Sequence, residues 1–349
     1  MKIAMKRLAI AVVVLTVAGN VPAAEPVALR LESLTVAPPH QPSAIVDVKN
    51  LADSPYQGTI TLKAPDGWRI APLEQRVSLE PGETKRVSFR TEGGLNLAAN
   101  RYPFTISASE KSGGKSVVRR QNICCASAPY FKPTIDGDPT EWKDAIPITF
   151  SVGGKKTVLS TYWNRRQFCI LAAVEEDKLL GRGAADSFDA LQVALSPQDA
   201  RTGTSPDQEA NRFEFLFVPT ADGRSASCFQ LASPGMKLAE AARCRSLDDL
   251  RCEKAEVAVS RSGGVTYYEC SLPFGPMRSR IRPSEGREFF FSVLVHDPDG
   301  TGVRDWGAAA GLWPSERNRL AWSQWQGARW GDQPPFDNKL EWGLCSSKY

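Results

Sequence analysis

The chain has 349 residues, 42% hydrophobic and 23% charged, a soluble globular composition with room for one large or two ordinary domains. Its net charge is +4, and Lys2, Lys6 and Arg7 supply three of those charges, leaving about +1 for the rest. So weak a balance gives no electrostatic footprint for nucleic acid or an anionic membrane.

Those three basic residues precede an apolar run from Leu8 to Ala18, and Val21-Pro22-Ala23-Ala24 offers small residues for cleavage. That layout predicts a secretory signal peptide over residues 1–24. The run is too short for a permanent anchor, so no membrane span is expected after cleavage and the protein is expected to be secreted, periplasmic or at the cell surface.

Residues 25–126 read as short strands between turns. Ala44–Val48, Thr59–Leu62, Arg86–Phe89 and Tyr102–Ile106 alternate in part, and Pro65-Asp66-Gly67 and Pro81-Gly82-Glu83 are turn signals. About seven such strands in a hundred residues predict an immunoglobulin-like sandwich. Asn50, Pro65-Asp66-Gly67-Trp68 and Leu79-Glu80-Pro81-Gly82-Glu83-Thr84 resemble the bacterial Ig-like domains that accompany extracellular glycosidases. Trp68 is expected to plug a corner of the core.

Ser127-Ala128-Pro129 is expected to open a second, larger sandwich over 127–349, with longer and more apolar strands. Ile135-Asp136-Gly137-Asp138-Pro139-Thr140-Glu141-Trp142 stands at its head, two turn dipeptides followed by an apolar plug. Val158–Asn164, Phe168–Val174, Asp186–Val193, Tyr268–Phe274 and Phe291–Asp297 follow in order. A helix is expected around Met236–Arg243, and Arg201–Ala210 and Ser260–Gly264 read as loops.

This succession of segments resembles the family 9 carbohydrate-binding modules and their DOMON-like relatives, non-catalytic β-sandwiches found with glycoside hydrolases. The resemblance covers residues 130–345. It implies an all-β fold of two tandem sandwiches and an exported protein that recognises polysaccharide or oligosaccharide in carbohydrate catabolic processes or at the cell surface. A glycoside hydrolase or a cell-surface protein is the implied protein partner. The alternative is a structural or scaffolding protein without a sugar ligand, or the accessory part of a glycoside hydrolase.

The family site is carried over residue by residue. In the family two tryptophans sandwich a terminal sugar while charged side chains hold its hydroxyls. Trp330 matches the tryptophan ahead of the last strand, Arg304 the arginine after the Asp-rich turn, and Asp189 the acidic residue after Asp186-Ser187. The plain alternative for Asp189 and Arg304 is an ordinary ion pair. Gly181–Ala185 holds no aromatic residue, so the first clamp tryptophan is missing. Glu214 replaces a second arginine, for which Arg212 is the substitute. Trp306 and Trp325 are further candidates, since six of the nine tryptophans crowd positions 306–342 and an indole face suits the apolar face of a sugar. Trp142, Trp163, Trp322 and Trp342 are expected to be buried plugs.

Little else points to chemistry. His40 and His296 are the two histidines, and no nucleophile–base triad, phosphate loop or dinucleotide fingerprint can be assembled. No catalytic residue is assigned, and any activity would be associated with glycoside hydrolysis, which needs two facing carboxylates that no motif singles out. No cofactor is expected beyond a structural calcium, which family 9 modules are known to carry. Asp297-Pro298-Asp299-Gly300 reads as a turn and Glu175-Glu176-Asp177 as a solvated strand end. All eight cysteines follow residue 123. None has paired zinc spacing, Cys169 reads as a core thiol, and Cys228, Cys244, Cys252 and Cys270 are candidates for disulfide bonds.

Overall fold

A computed structural model describes residues 25–114, 116–183, 187–197, 212–237 and 246–309, and the backbone of 318–322. The leader, the expected helix at Met236–Arg243 for the most part, the 201–210 loop, Cys244, Trp325, Trp330 and Trp342 lie outside the described residues. No described helix is long and apolar enough to cross a membrane.

The first eight strands are β1 (Val27–Leu31), β2 (Ser43–Asn50), β3 (Tyr56–Lys63), β4 (Arg69–Ala71), β5 (Glu74–Leu79), β6 (Thr84–Glu92), β7 (Tyr102–Glu110) and β8 (Val117–Ile123). They form two four-stranded antiparallel sheets, β1-β2-β6-β4 and β5-β3-β7-β8. Alternation is clean in β3 and β7, whose Tyr56, Ile60, Leu62, Phe104 and Ile106 enter one core with Val46, Val48 and Phe89 of the facing sheet. Trp68 is half-buried against Tyr102 and Phe104, at 5.4 and 5.7 Å between ring centres, the corner plug expected of it.

The second half holds β9 (Ser127–Ala128), β10 (Ile148–Val152), β11 (Lys155–Trp163), β12 (Gln167–Glu175), β13 (Ala190–Pro197), β14 (Phe213–Pro219), β15 (Ala226–Ala232), β16 (Glu256–Ser262), β17 (Val265–Pro273), β18 (Glu288–Asp297), β19 (Gly302–Asp305) and β20 (Asn318–Trp322). One sheet runs β10-β11-β12-β17-β16. The other runs β15-β14-β13-β18-β20-β9, with β19 also on β18. Phe168 of the first sheet meets Phe289 and Phe291 of the second edge-on at 5.8 and 5.6 Å, the packing that joins the two layers.

Two hairpins turn on paired glycines. Gly153-Gly154 (φ +59° and +79°) joins β10 to β11, and Gly263-Gly264 (φ +58° and +79°) joins β16 to β17. Positive φ at both central positions is the type I′ requirement, which glycine meets without strain. Ser260–Gly264, expected as a loop, is therefore strand up to Ser262 and then this turn.

The Ile135–Trp142 segment crosses the outer face of the five-stranded sheet. In β12, Phe168, Ile170, Ala172 and Val174 face the inter-sheet core, while Cys169 and Leu171 lie under Trp142 and Ala145. Both faces being covered, the strand reads as a continuous apolar run. Asp138 caps a 3-10 turn by accepting from Thr140 N–H at 3.0 Å. Buried Glu269 of β17 accepts from Trp142 Nε1 and Gly137 N–H at 2.6 Å and from Asp136 N–H at 3.1 Å. Trp142 stacks on Tyr162 at 5.0 Å. One carboxylate thus holds the segment in place through three donors.

Candidate functional site

At one end of the second sandwich, β12, β13, β17 and β18 bring ionic side chains into the interior. The pleat that turns Val174 inward also turns Glu176 inward, just past the end of β12, and leaves Glu175 and Asp177 outside. Asp189 immediately precedes β13 and Asp297 ends β18. Glu176, Asp189 and Asp297 are all buried, and one carboxylate oxygen from each lies within 4.8 Å of the other two.

Two arginines balance part of this charge. Arg304 of β19 is fully buried and donates to Asp297 Oδ2 (2.6 Å), Thr301 Oγ1 (2.6 Å) and Thr157 Oγ1 (3.4 Å). Arg261 of β16 donates to Thr266 Oγ1 at 2.7 Å and to the Glu176 carbonyl and carboxylate at 2.8 and 3.4 Å. Thr266 Oγ1 in turn donates to Glu176 Oε1. Asp189 holds the loop before it by accepting from Leu180 N–H, while its own N–H donates to the Leu180 carbonyl at 2.7 Å. Gly300 leaves room for this network, since a Cβ there would collide with the Asp297 carboxylate.

Burial raises Glu176 to about 7, against the opposing Thr266 hydrogen bond and with help from Asp189. Burial likewise raises Asp189 to about 6 despite its Leu180 hydrogen bond. Burial acts in the same sense on Asp297, but the Thr301 and Arg304 hydrogen bonds outweigh it and hold that carboxylate below its usual range. Three polar atoms here have no hydrogen-bond partner among the described residues: Glu176 Oε2, Asp189 Oδ1 and the Tyr268 hydroxyl. Tyr268 is wholly buried, and its hydroxyl is pushed well up by burial first and the Glu176 charge second. Orphaned buried oxygens beside a surplus carboxylate fit a hard divalent cation of the calcium type. Glu176, Asp189 and Asp297 are the residues that would hold it.

The sites expected from sequence fare differently. Asp189 and Arg304 do reach one cluster, but they are not partners: Arg304 pairs with Asp297, which in turn neighbours Asp189. Both are fully buried, so in this conformation neither offers a side chain to a ligand in solution. Trp306 is 2% exposed, with its ring against Phe291 at 5.7 Å, so a core position replaces the free stacking face expected of it. Arg212, just before β14, pairs with Glu214 of that strand. Trp325 and Trp330 lie outside the described residues. Trp142 and Trp163 are buried plugs, as expected.

Sequence reading missed Glu176, Asp297 and Tyr268 as members of a site. Period-two alternation carried on from Val174 was the available signal for Glu176, and it was masked by the acidic triplet that reads as a solvated end. Among the cysteines, Cys169 and Cys270 are buried core thiols. Cys228 and Cys252 are neighbours, with Cys252 N–H donating to the Cys228 carbonyl at 2.8 Å. Both are thiols in this structure.

No protein-family model and no curated protein sequence matches the chain. Among solved structures it is similar to a family 9 carbohydrate-binding module from Caldicellulosiruptor kristjanssonii in complex with glucose. That match has 12% identity, covers 56% of this chain and 94% of that one, and has a TM-score of 0.38. The same organism's module in complex with cellotriose gives 12% identity, coverage of 56% and 92%, and a TM-score of 0.39. A FixG-related protein from Vibrio parahaemolyticus covers 29% of this chain and 98% of its own, at 13% identity and a TM-score of 0.24. The fold is all-β.

Proposed function

We propose that this is an exported, non-catalytic carbohydrate-binding protein. Its second sandwich carries the ligand, and its first, read as Ig-like, serves as a spacer or platform. One observation supports the reading above the others. Asp189 and Arg304, far apart in sequence and matched independently to the family site, meet in a single polar cluster at one end of the sandwich, within one carboxylate of each other. Burying so many ionic groups is costly, and an apolar core of the same shape serves stability as well or better. Perturbed, incompletely satisfied groups concentrate at functional sites. Here the cluster holds the loop before β13 in place, and the sugar contact itself is assigned, on the family resemblance, to Trp330 and Trp325.

Titration of the full chain against a panel of neutral and acidic oligosaccharides, followed by tryptophan fluorescence, tests this. Saturable binding is expected, with a loss of about tenfold or more in Trp330→Ala, the scale of one lost stacking face with its buried area. Absence of binding across the panel and in pull-down on insoluble glycans would remove the reading.

The burial of Asp189, Arg304 and Trp306 favours a second reading, a scaffold without a sugar ligand. It predicts a protein partner that co-purifies stably and no glycan affinity.

A further inference from the structure

A second concavity lies between the two sandwiches, away from the carboxylate cluster. Its volume is about 420 Å³, within the range of small-molecule sites. One wall is the β1–β8 edge of the first sandwich and the linker at Cys124. The other is β10 and the short helix Trp306–Ala309 of the second.

Its chemistry is one-sided. Arg30, Arg101, Arg119 and Arg120 line it, and among the described residues no aspartate or glutamate does. Arg30 is neutralised by its buried pair with Asp47. Arg101, Arg119 and Arg120 make no ion pair or hydrogen bond with a described residue. Arg119 is the telling one. Along β8, Val117 and Ile123 are buried and Arg119 and Gln121 are half-buried, while Val118, Arg120 and Asn122 are exposed. Arg119 therefore occupies the inward row of the strand, opposite Ile106. Gln121, next in that row, is satisfied by Leu31, accepting from its N–H at 3.0 Å and donating to its carbonyl at 2.7 Å. Arg119 has no such acceptor.

A guanidinium held partly out of water beside two like charges is disfavoured unless an anion joins it. Guanidinium groups pair in bidentate fashion with carboxylate, sulfate or phosphate oxygens. Ser33, Thr149 and Ser151 add hydroxyls, and Phe150 and Trp306, both largely buried, add a small apolar area to the lining.

We propose that this interdomain pocket binds a small ring-shaped ligand carrying an oxyanion, such as a sugar acid or a sugar phosphate. It does so independently of any glycan site on the second sandwich. Because both sandwiches supply walls, occupancy braces them against each other.

Calorimetric titration of the full chain with glucuronate, glucose 6-phosphate, inorganic phosphate and glucose tests this at two salt concentrations. Either anionic sugar is expected to bind at least tenfold more tightly than glucose, and more weakly as salt rises. Preference between the two anionic sugars identifies carboxylate or phosphate as the group recognised. Arg119→Gln and Arg120→Gln are each expected to weaken binding tenfold or more while melting at the unliganded protein's temperature. The ligand is also expected to raise the melting temperature of the unsubstituted protein, a measure that needs no variant. No binding by either anionic sugar, binding of inorganic phosphate alone as an adventitious ion only, or affinity unchanged in both variants overturns the proposal. Binding of a neutral glycan by the unsubstituted protein and both arginine variants alike, with neither anionic sugar bound, leaves the carbohydrate reading standing and this one refuted.

Discussion

At Glu176 and Asp189 the dominant force is desolvation, and it sets a direction for pH. An unfolded chain titrates these groups near 4.3 and 3.9, while the folded protein holds them at about 7 and about 6. The folded state thus keeps protons that the unfolded state has released. The contribution is fully present below the unfolded values and is lost as pH rises through the folded ones. Each shift corresponds to about 3 kcal/mol, and the two are coupled, so the joint effect is less than their sum. Asp297 runs the opposite way, because its depressed value adds stability above the unfolded pKa and loses it as pH falls further. In chelator-treated protein the melting temperature is therefore expected to fall between pH 4.5 and 7.5. Glu176→Gln is expected to flatten that slope, since it carries the neutral form at every pH. Added calcium is expected to restore stability at pH 7.5 and to do little at pH 5, where protons compete for the same oxygens. A melting temperature indifferent to both pH and calcium would show that the cluster is neither strained nor a cation site.

At the element scale, the long strands β2, β3, β6, β7, β11, β12, β13, β17 and β18 were legible and the shorter edge strands mostly were not, because alternation in β3 and β7 and the apolar run of β12 report which faces are covered. What alternation cannot report is which distant strand closes over a face. Glu176 is the example: its orientation follows from Val174, but its burial depends on Asp189, Thr266 and Asp297 arriving from three other segments. The Ile135–Trp142 segment was legible as a turn, yet its dependence on Glu269 required the tertiary structure. The cysteines show the same division. Spacing left their pairing open, whereas the edge of β15 sets Cys228 against Cys252. Oxidised by glutathione disulfide, these two thiols are expected to lose two protons and two electrons to form one disulfide, with a fall of about 2 Da in mass. Closing a loop of this length is worth about 3 kcal/mol in the chain-entropy account. The oxidised chain should melt several degrees higher, and Cys252→Ser should abolish both the mass change and the gain. Peptide mapping that recovers Cys228 linked elsewhere would refute the pairing.

For the whole molecule, the question is what makes two sandwiches into one body, and Asn100 carries much of it. Its backbone sits at φ +45°, a conformation asparagine tolerates better than most residues, and its side chain is 1% exposed. The amide donates to the Cys125 carbonyl at 2.9 Å and to the Pro147 carbonyl at 2.7 Å, and it accepts from Cys125 N–H at 2.9 Å. The loop before β7 is thereby tied to both the linker and the approach to β10. Thr35 adds a second tie across the boundary, donating to Glu288 at 2.6 Å. Asn100→Ala removes three buried hydrogen bonds and strands their partners, a loss of about 2–4 kcal/mol. Asn100→Gly removes the same bonds but relieves the backbone, so it should lose about 1 kcal/mol less. The intact protein is expected to melt in one cooperative transition, and both variants in two, with the sandwiches uncoupled. The separation between the two peaks reports the coupling directly. A single transition in Asn100→Gly at the temperature of the unsubstituted protein would place the coupling elsewhere, in the Thr35–Glu288 contact and the apolar boundary around Ile146.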